Sequence, residues 1–173
     1  MRREIFSPLH MEGAGFGAPG TPGETDEPWG HLPSAVSSGT PTPMQVDNAP
    51  VMGPAGTLHC PIGDWAKFVA EILREARGGS GLVSAETFKK LITPRSGQQY
   101  AGGWILLSRP WAGGLALMHT GSNSTWYCDV WIAPAKNFAV LFATNEGGDA
   151  AGEAADEGVG LLIGLNANSA GTR

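Results

Sequence analysis

The sequence predicts an α+β fold, and three features of its residue pattern support that prediction. Two helices come first, four short apolar strands with tight turns between them follow, and an Ala- and Glu-rich helix closes the chain. Short gaps between consecutive strands allow only hairpin connections, so the predicted sheet is antiparallel. This order of elements is typical of a layered structure in which flanking helices and a C-terminal helix pack on one sheet.

The first helix is predicted over residues 61–77. Its apolar residues recur at i, i+3, i+4, i+7, i+8 and i+11, which places them on one stripe of a helix. These residues are Trp65, Phe68, Val69, Ile72, Leu73 and Ala76. Pro61 suits the first helical turn, and Gly78 begins the glycine pair that ends the helix. A shorter second helix is expected to begin after Ser84, a typical N-cap, and to end before Pro94.

Four strands and a last helix complete the predicted domain. The strands cover residues 102–108, 115–120, 126–133 and 138–144. The last two strands are apolar on both faces, which indicates a sheet covered on both sides. From Asp149 the chain is typical of a helix, and its last eight residues are expected to fray.

Residues 1–60 differ from the rest of the chain. Glycines and prolines interrupt this segment too often for long helices or central strands. Apolar side chains such as Phe16 and Trp29 indicate a segment that is pinned onto a packed body. We therefore predict an irregular segment over 1–60 that wraps the cleft of a domain formed by residues 61–173.

Composition excludes several classes of protein. Lys and Arg number 11 against 16 Asp and Glu, the net charge is −5, and no basic run is present, so we expect no nucleic-acid partner. No apolar stretch reaches the length of about 18 residues that predicts a membrane span. The N-terminal residues lack the apolar core of a secretory signal, and the cellular compartment stays open. Cys60 and Cys128 form no CxxC pair, so they predict free thiols, without a metal or cofactor.

The candidate site is the run from His119 to Asn123, at the end of the second predicted strand. Gly121 has no side chain, so a substrate can lie flat against the backbone there. The N–H of Ser122 can donate to a developing oxyanion. Thr120 can hydrogen-bond a carboxylate or a carbonyl, and Asn123 can line the same cleft. His119 can exchange protons near neutral pH.

Motifs that would supply a nucleophile or a metal ligand set are absent from the sequence. It contains no GxSxG, SxxK, YxN, HExxH or P-loop pattern. The triplet VDN at residues 46–48 resembles an SDN motif with Val46 in place of its serine. A run of the type His-Thr-Gly is equally typical of a solvent-facing strand end followed by a turn.

Five segments, in order along the chain, resemble the penicillin-recognising serine hydrolases, the superfamily of β-lactamases, D,D-peptidases and related esterases. IFSPLHM at residues 5–11 is similar to the stretch that follows the YxN motif in the class C β-lactamase-like family, although His10 replaces the usual glycine. YAGGWIL at residues 100–106 resembles a family strand beginning YGLGW. The other similar segments are residues 53–68, 81–94 and 119–148.

The resemblance implies the α/β sandwich portion of that fold, of which this chain carries an incomplete, C-terminal part. In the family, the Ser of SxxK forms an acyl-enzyme that water hydrolyses, while Lys and the Tyr of YxN manage the protons. By the same resemblance, residues 119–121 match the family's third motif, which is a Lys or His followed by a hydroxyl residue and a Gly. Ser122 supplies an oxyanion-binding N–H. The substrate expected is a small ester, amide or peptide. The chain alone is predicted to be inactive and to pair with the missing N-terminal half.

Two other interpretations stay open at this point. In one, the chain is a non-catalytic binding or interaction module with a β-lactamase-like fold, and the absence of SxxK fits it equally well. In the other, His119 belongs to a separate triad whose nucleophile is Ser122 or Ser124.

Overall fold

The computed structural model describes residues 1–35 and 39–170 of the chain. The first 60 residues form only short elements, as their glycine and proline content predicts. They contain a five-residue π-helical turn at Arg2–Phe6 and a 3-10 helix at Pro50–Ala55. Their strands are β1 (Gly15–Phe16), β2 (Gly30–Leu32), β3 (Thr42–Met44) and β4 (Leu58–His59), paired antiparallel as β1 with β4 and β2 with β3.

The main sheet has five antiparallel strands in the order β5-β6-β7-β8-β9. Every neighbour in the sheet is also the neighbour in sequence, so the sheet is the meander that short connections predict. The strands are β5 (Tyr100–Ala101), β6 (Trp104–Arg109), β7 (Gly114–Ser122), β8 (Tyr127–Ala133) and β9 (Phe138–Thr144). The predicted α+β class is confirmed.

Three α-helices flank this sheet in the part of the chain that the structure describes. They are α1 (Ile62–Ala76), α2 (Ala85–Leu91) and α3 (Asp149–Ala170). Pro61 stands just outside α1 as its N-cap, one position before its predicted place in the first turn. The Ser84 hydroxyl accepts the N–H of Thr87 at 3.2 Å, so Ser84 caps α2 as predicted.

Two predictions of secondary structure were wrong in detail. Gly102 and Gly103 were assigned to a strand, but both have positive φ, and they form the turn that joins β5 to β6. A two-residue strand such as β5 gives no periodic signal, which is why it was missed. The fraying predicted from Asn166 was also wrong, because α3 continues to Ala170; residues 171–173 of that predicted tail lie outside the described residues.

The two faces of the main sheet carry different partners. On one face, α1 and α2 pack on the sheet and bury Val69, Ile72, Phe88, Trp104, Leu117, Val130 and Ile132. On the other face, α3 crosses β8 and β9 and buries Ala151, Ala155 and Val159. Because side chains alternate along a strand, Leu117, His119 and Gly121 of β7 point to the α1 face.

Contacts with α1 and with the sheet attach the early segment to the body of the molecule. Phe6, Met11 and Ala14 form a small buried cluster that also contacts Phe68 of α1. The backbone N–H of His31 donates to the Thr125 carbonyl at 2.9 Å, beside the β7–β8 turn. The segment is thus pinned to the body of the molecule, as its apolar side chains indicated, whereas the division of the chain at residue 60 stays a prediction.

Candidate functional site

The end of β7 has a strand neighbour on one side only. Its pairing with β8 runs through Ser122, opposite Tyr127, whereas its pairing with β6 ends at Met118, opposite Ile105. Within the described residues, no strand pairs with the other edge of residues 119–122. An open strand edge presents backbone N–H and C=O groups that another extended chain can bind. We refer to residues 119–122 as the open edge.

Gly121 makes the α1 face of the open edge flat. Its register partner on β8 is Cys128, whose thiol would lie 3.1 Å from a Cβ atom added at Gly121. A side chain at this position would therefore press on the thiol. Burial raises the pKa of Cys128 above its ordinary value, so this thiol stays protonated. It forms part of the surface beside Gly121.

His119 is exposed on the open edge and has an aromatic neighbour. The Tyr100 hydroxyl lies 3.4 Å from His119 Nε2, and the two ring centroids are 6.1 Å apart. Tyr100 was not predicted as a site residue. It belongs to the two-residue strand β5, and no spacing in the sequence links it to the end of β7.

Thr120 occupies the opposite face of β7. Its hydroxyl interacts with the Tyr127 hydroxyl, on the face that carries α3. Burial, followed by the charge of Asp129, raises the pKa of Tyr127, while the bond from Thr120 opposes that rise. The Thr120 side chain is therefore engaged inside the fold, and binding of a substrate carboxylate by its hydroxyl stays a prediction.

Ser122 and Asn123 hold the turn between β7 and β8. The Ser122 hydroxyl donates to the Trp126 carbonyl at 2.7 Å and accepts the Ser124 N–H at 3.1 Å. Asn123 Oδ1 accepts the N–H groups of Thr125 and Trp126 and the Thr125 hydroxyl. These bonds hold the conformation of the turn that directly follows the open edge.

Asp47 was not predicted as a residue of this site, yet it reaches the same turn. Its Oδ1 accepts the Asn123 side-chain amide at 2.9 Å. The sequence signal was the VDN triplet at residues 46–48, which resembles an SDN motif. The structure thus places that triplet beside the open edge, where Asp47 helps to orient Asn123.

The structure does not bring Ser122 and His119 together. Strand alternation directs their side chains to opposite faces of β7, and the Ser122 proton is donated to a carbonyl of the turn. A nucleophile and its base need hydrogen-bond contact. The geometry therefore gives no support to a triad in which His119 activates Ser122. Ser124 lies at the turn itself, with a positive φ of 74°.

Other reactive groups form no second centre in the part of the chain that the structure describes. Cys60 and Cys128 are both free thiols, and burial raises the pKa of Cys60 to about 11. No three His, Cys, Asp or Glu side chains within residues 1–35 and 39–170 are grouped as a metal site would require. None of the described helices is long and apolar enough to span a membrane.

Comparison with known proteins identifies the family. A family model described as Beta-lactamase matches residues 1–164. The chain belongs to the beta-lactamase family. No curated protein matches this beta-lactamase-family chain.

Two solved structures share the fold of this beta-lactamase-family chain. One is the octameric penicillin-binding protein homologue from Pyrococcus abyssi, with a TM-score of 0.67 and 20% identity over 94% of this chain and 36% of that chain. The other is a penicillin binding protein from Bacillus halodurans, with a TM-score of 0.65 and 18% identity over 91% of this chain and 48% of that chain. The present chain therefore spans less than half the length of either protein.

Proposed function

We propose that this beta-lactamase-family chain is the C-terminal part of a serine hydrolase that transfers the acyl group of an ester or amide to water. The observation that carries the proposal is the open edge, where the flat Gly121 and the exposed His119 lie side by side. The serine that attacks the carbonyl is supplied by a segment of the enzyme outside the present chain.

The open edge supports substrate binding by strand addition. An extended substrate aligns along the edge and exchanges backbone hydrogen bonds with it. Gly121 lets the carbonyl approach the backbone, and the Ser122 N–H donates to the oxygen that becomes negative. His119 exchanges a proton with the reacting groups.

The reaction then follows the covalent route of serine hydrolases. The hydroxyl oxygen adds to the carbonyl carbon, its proton leaves through the neighbouring base, and the alcohol or amine departs with a proton. Water then adds to the carbonyl carbon of the acyl-enzyme and gives a proton to the base, the bond to the serine oxygen breaks, and the serine regains a proton as the acid is released. Ser122 donates its proton to the Trp126 carbonyl and faces away from His119, so it does not serve as that nucleophile.

The experiment begins with the coding sequence immediately upstream of this chain, which should contain SxxK followed by YxN. The joined polypeptide should hydrolyse a chromogenic ester with a burst of acyl-enzyme. His119→Ala should lower kcat/KM of that polypeptide by about 10²–10⁴-fold, the usual contribution of a general acid or base. The control is His10→Asn, since His10 is exposed at a positive φ that Asn tolerates. An upstream region without either motif contradicts the proposal.

One observation favours a second function, a binding module without catalysis. The hydroxyls nearest the open edge, those of Thr120 and Ser122, are both engaged within the fold, while the edge itself stays available. A binding module would be a cooperatively folded monomer that binds an extended peptide without cleaving it. Isothermal titration with such a peptide, followed by mass analysis of the peptide, separates the two functions.

A further inference from the structure

The contact between Tyr100 and His119 has consequences for the chemistry of the open edge. The phenol oxygen lies 3.4 Å from Nε2 of the imidazole, and the planes of the two rings are inclined by 54°. The turn at Gly102 and Gly103 folds β5 back along β6 and so brings Tyr100 near the end of β7. Tyr100 is 52% exposed, so a ligand at the edge can reach it.

We propose that Tyr100 is a positioning residue that fixes the tautomer of His119. The phenol O–H donates to Nε2, and the proton of the neutral imidazole is held on Nδ1. This inference rests on the proposed function only in giving His119 a role toward a bound ligand.

The direction of the bond follows from the two groups. A neutral imidazole has one N–H donor and one bare nitrogen, and the tautomer is set by the bond that the other nitrogen makes. A phenol is a better donor than an imidazole N–H, and a bare imidazole nitrogen is a better acceptor than a phenol oxygen. The O–H···N arrangement is therefore preferred. The distance is long for such a bond, as is common for functional contacts before a ligand binds.

The fixed tautomer determines what His119 offers to a ligand. With Nε2 occupied by Tyr100, the Nδ1–H remains as a donor. A donor suits a carbonyl or carboxylate oxygen, and an ester, amide or peptide aligned along the open edge supplies such oxygens. The reverse tautomer would present a bare Nδ1, which suits a hydroxyl or an amine instead.

The test is nitrogen NMR on the uniformly ¹⁵N-labelled chain, at about pH 8, where an ordinary imidazole is neutral. The ring signals of His119 are assigned by their loss in His119→Gln. The wild type should show a proton on Nδ1 and a bare Nε2. Tyr100→Phe should move the proton population toward Nε2, so that the two ring-nitrogen shifts approach or exchange. Tyr127→Phe removes the other tyrosine hydroxyl, which lies on the α3 face, and should leave the His119 shifts unchanged.

Two results would overturn the inference: a wild-type His119 that already carries its proton on Nε2, or His119 shifts that Tyr100→Phe leaves in place. The wild-type measurement stands even where the variant fails to fold. No substrate or serine nucleophile is needed. Failure of the joined polypeptide to hydrolyse the ester therefore refutes the proposed function without affecting this result, whereas an unchanged tautomer refutes only the role of Tyr100.

Discussion

Two buried carboxylates in this molecule have pKa values shifted in opposite directions, because their hydrogen-bond partners differ. Glu71, on α1, is buried and bonds the Arg74 guanidinium at 2.6 Å and the Leu82 N–H at 2.8 Å. Burial alone would raise the pKa of Glu71, but the bonds from Arg74 and Leu82 outweigh it and hold that pKa below its ordinary value. Asp129, on β8, is also buried, yet its Oδ1 has no hydrogen-bond partner in the described structure.

Glu71→Gln should destabilise the fold at neutral pH by about 1–3 kcal/mol, because it removes a charge-assisted bond and leaves buried polar atoms less well paired. A carboxylate with a lowered folded pKa stabilises the fold above its ordinary pKa, and this contribution is lost as pH falls through the folded value. The variant should therefore lose less stability than wild type below about pH 4.5. Urea unfolding across this range measures both effects. Glu86→Gln, which breaks an exposed pair with Lys90, is the control and should change stability by no more than about 0.5 kcal/mol.

Asp129 should give the opposite pH dependence. Burial raises the pKa of Asp129, while the Trp131 indole N–H, at 3.0 Å, opposes the rise. Because the folded state holds this proton more tightly than the unfolded state, the contribution of Asp129 to wild-type stability should fall as pH rises above the ordinary Asp value near 4.

Asp129→Asn should flatten that decline, since an amide carries no charge to desolvate. The free energy of unfolding at about pH 5 and about pH 8 measures the slope. Glu153→Gln, on an exposed part of α3, serves as the control and should keep the wild-type slope. An Asp129→Asn slope equal to wild type would contradict this account of Asp129.

At the scale of elements, the β7–β8 turn is held by several segments and orients the open edge. Asn123 binds it from within, Asp47 reaches it from the early segment, and His31 bonds its Thr125 carbonyl. Gly147 packs against the same turn from the end of β9. A Cβ atom added at Gly147 would overlap the backbone carbonyl of Ser124, so only glycine allows this approach.

Gly147→Ala should therefore destabilise the fold by about 2–4 kcal/mol, in the range of disruptive core changes. The turn must shift to admit the methyl group, because the atoms that it meets are backbone. Gly160→Ala is the matched control, since nothing lies within 4 Å of its added Cβ on α3. That change should stabilise the protein by up to about 1 kcal/mol through helix propensity. Thermal unfolding of both variants measures the two effects. Equal melting temperatures for the two variants would show that the turn admits the methyl group without cost and would contradict the prediction.

The sequence predicted those elements whose periodicity is strong. The apolar stripe of α1, the Ser84 cap and the strand at residues 138–144 all follow from local pattern, and the structure confirms them. The site was only partly predictable, because Tyr100 and Asp47 reach the open edge through tertiary contacts between segments that no local pattern connects. Glu71 looks like a solvated helix charge in sequence, yet it binds the loop after α1.

At the scale of the whole molecule, apolar side chains remain exposed along α3. Leu161 is 65% exposed and Leu165 is 54% exposed. Strand β9 has β8 as its one strand neighbour within the described residues, and it carries no charged side chain. Uncharged strand edges beside apolar surface favour association with another chain.

The chain by itself should therefore self-associate reversibly as its concentration rises. The double variant Leu161→Gln, Leu165→Gln should weaken this association while retaining the helix, because both side chains are exposed and Gln is a good helix former. Sedimentation velocity over a concentration series measures the effect, and circular dichroism checks the helix. A wild-type chain that stays monomeric throughout the series would contradict the expectation.

The central claim is that the open edge assists a nucleophile that this chain does not carry. Its most direct test is turnover of a chromogenic ester by the purified chain alone, with labelling by a fluorophosphonate probe in parallel. The account predicts no turnover above the rate in buffer and no labelled serine. Steady multiple turnovers, or stoichiometric labelling of Ser122 or Ser124, would contradict it.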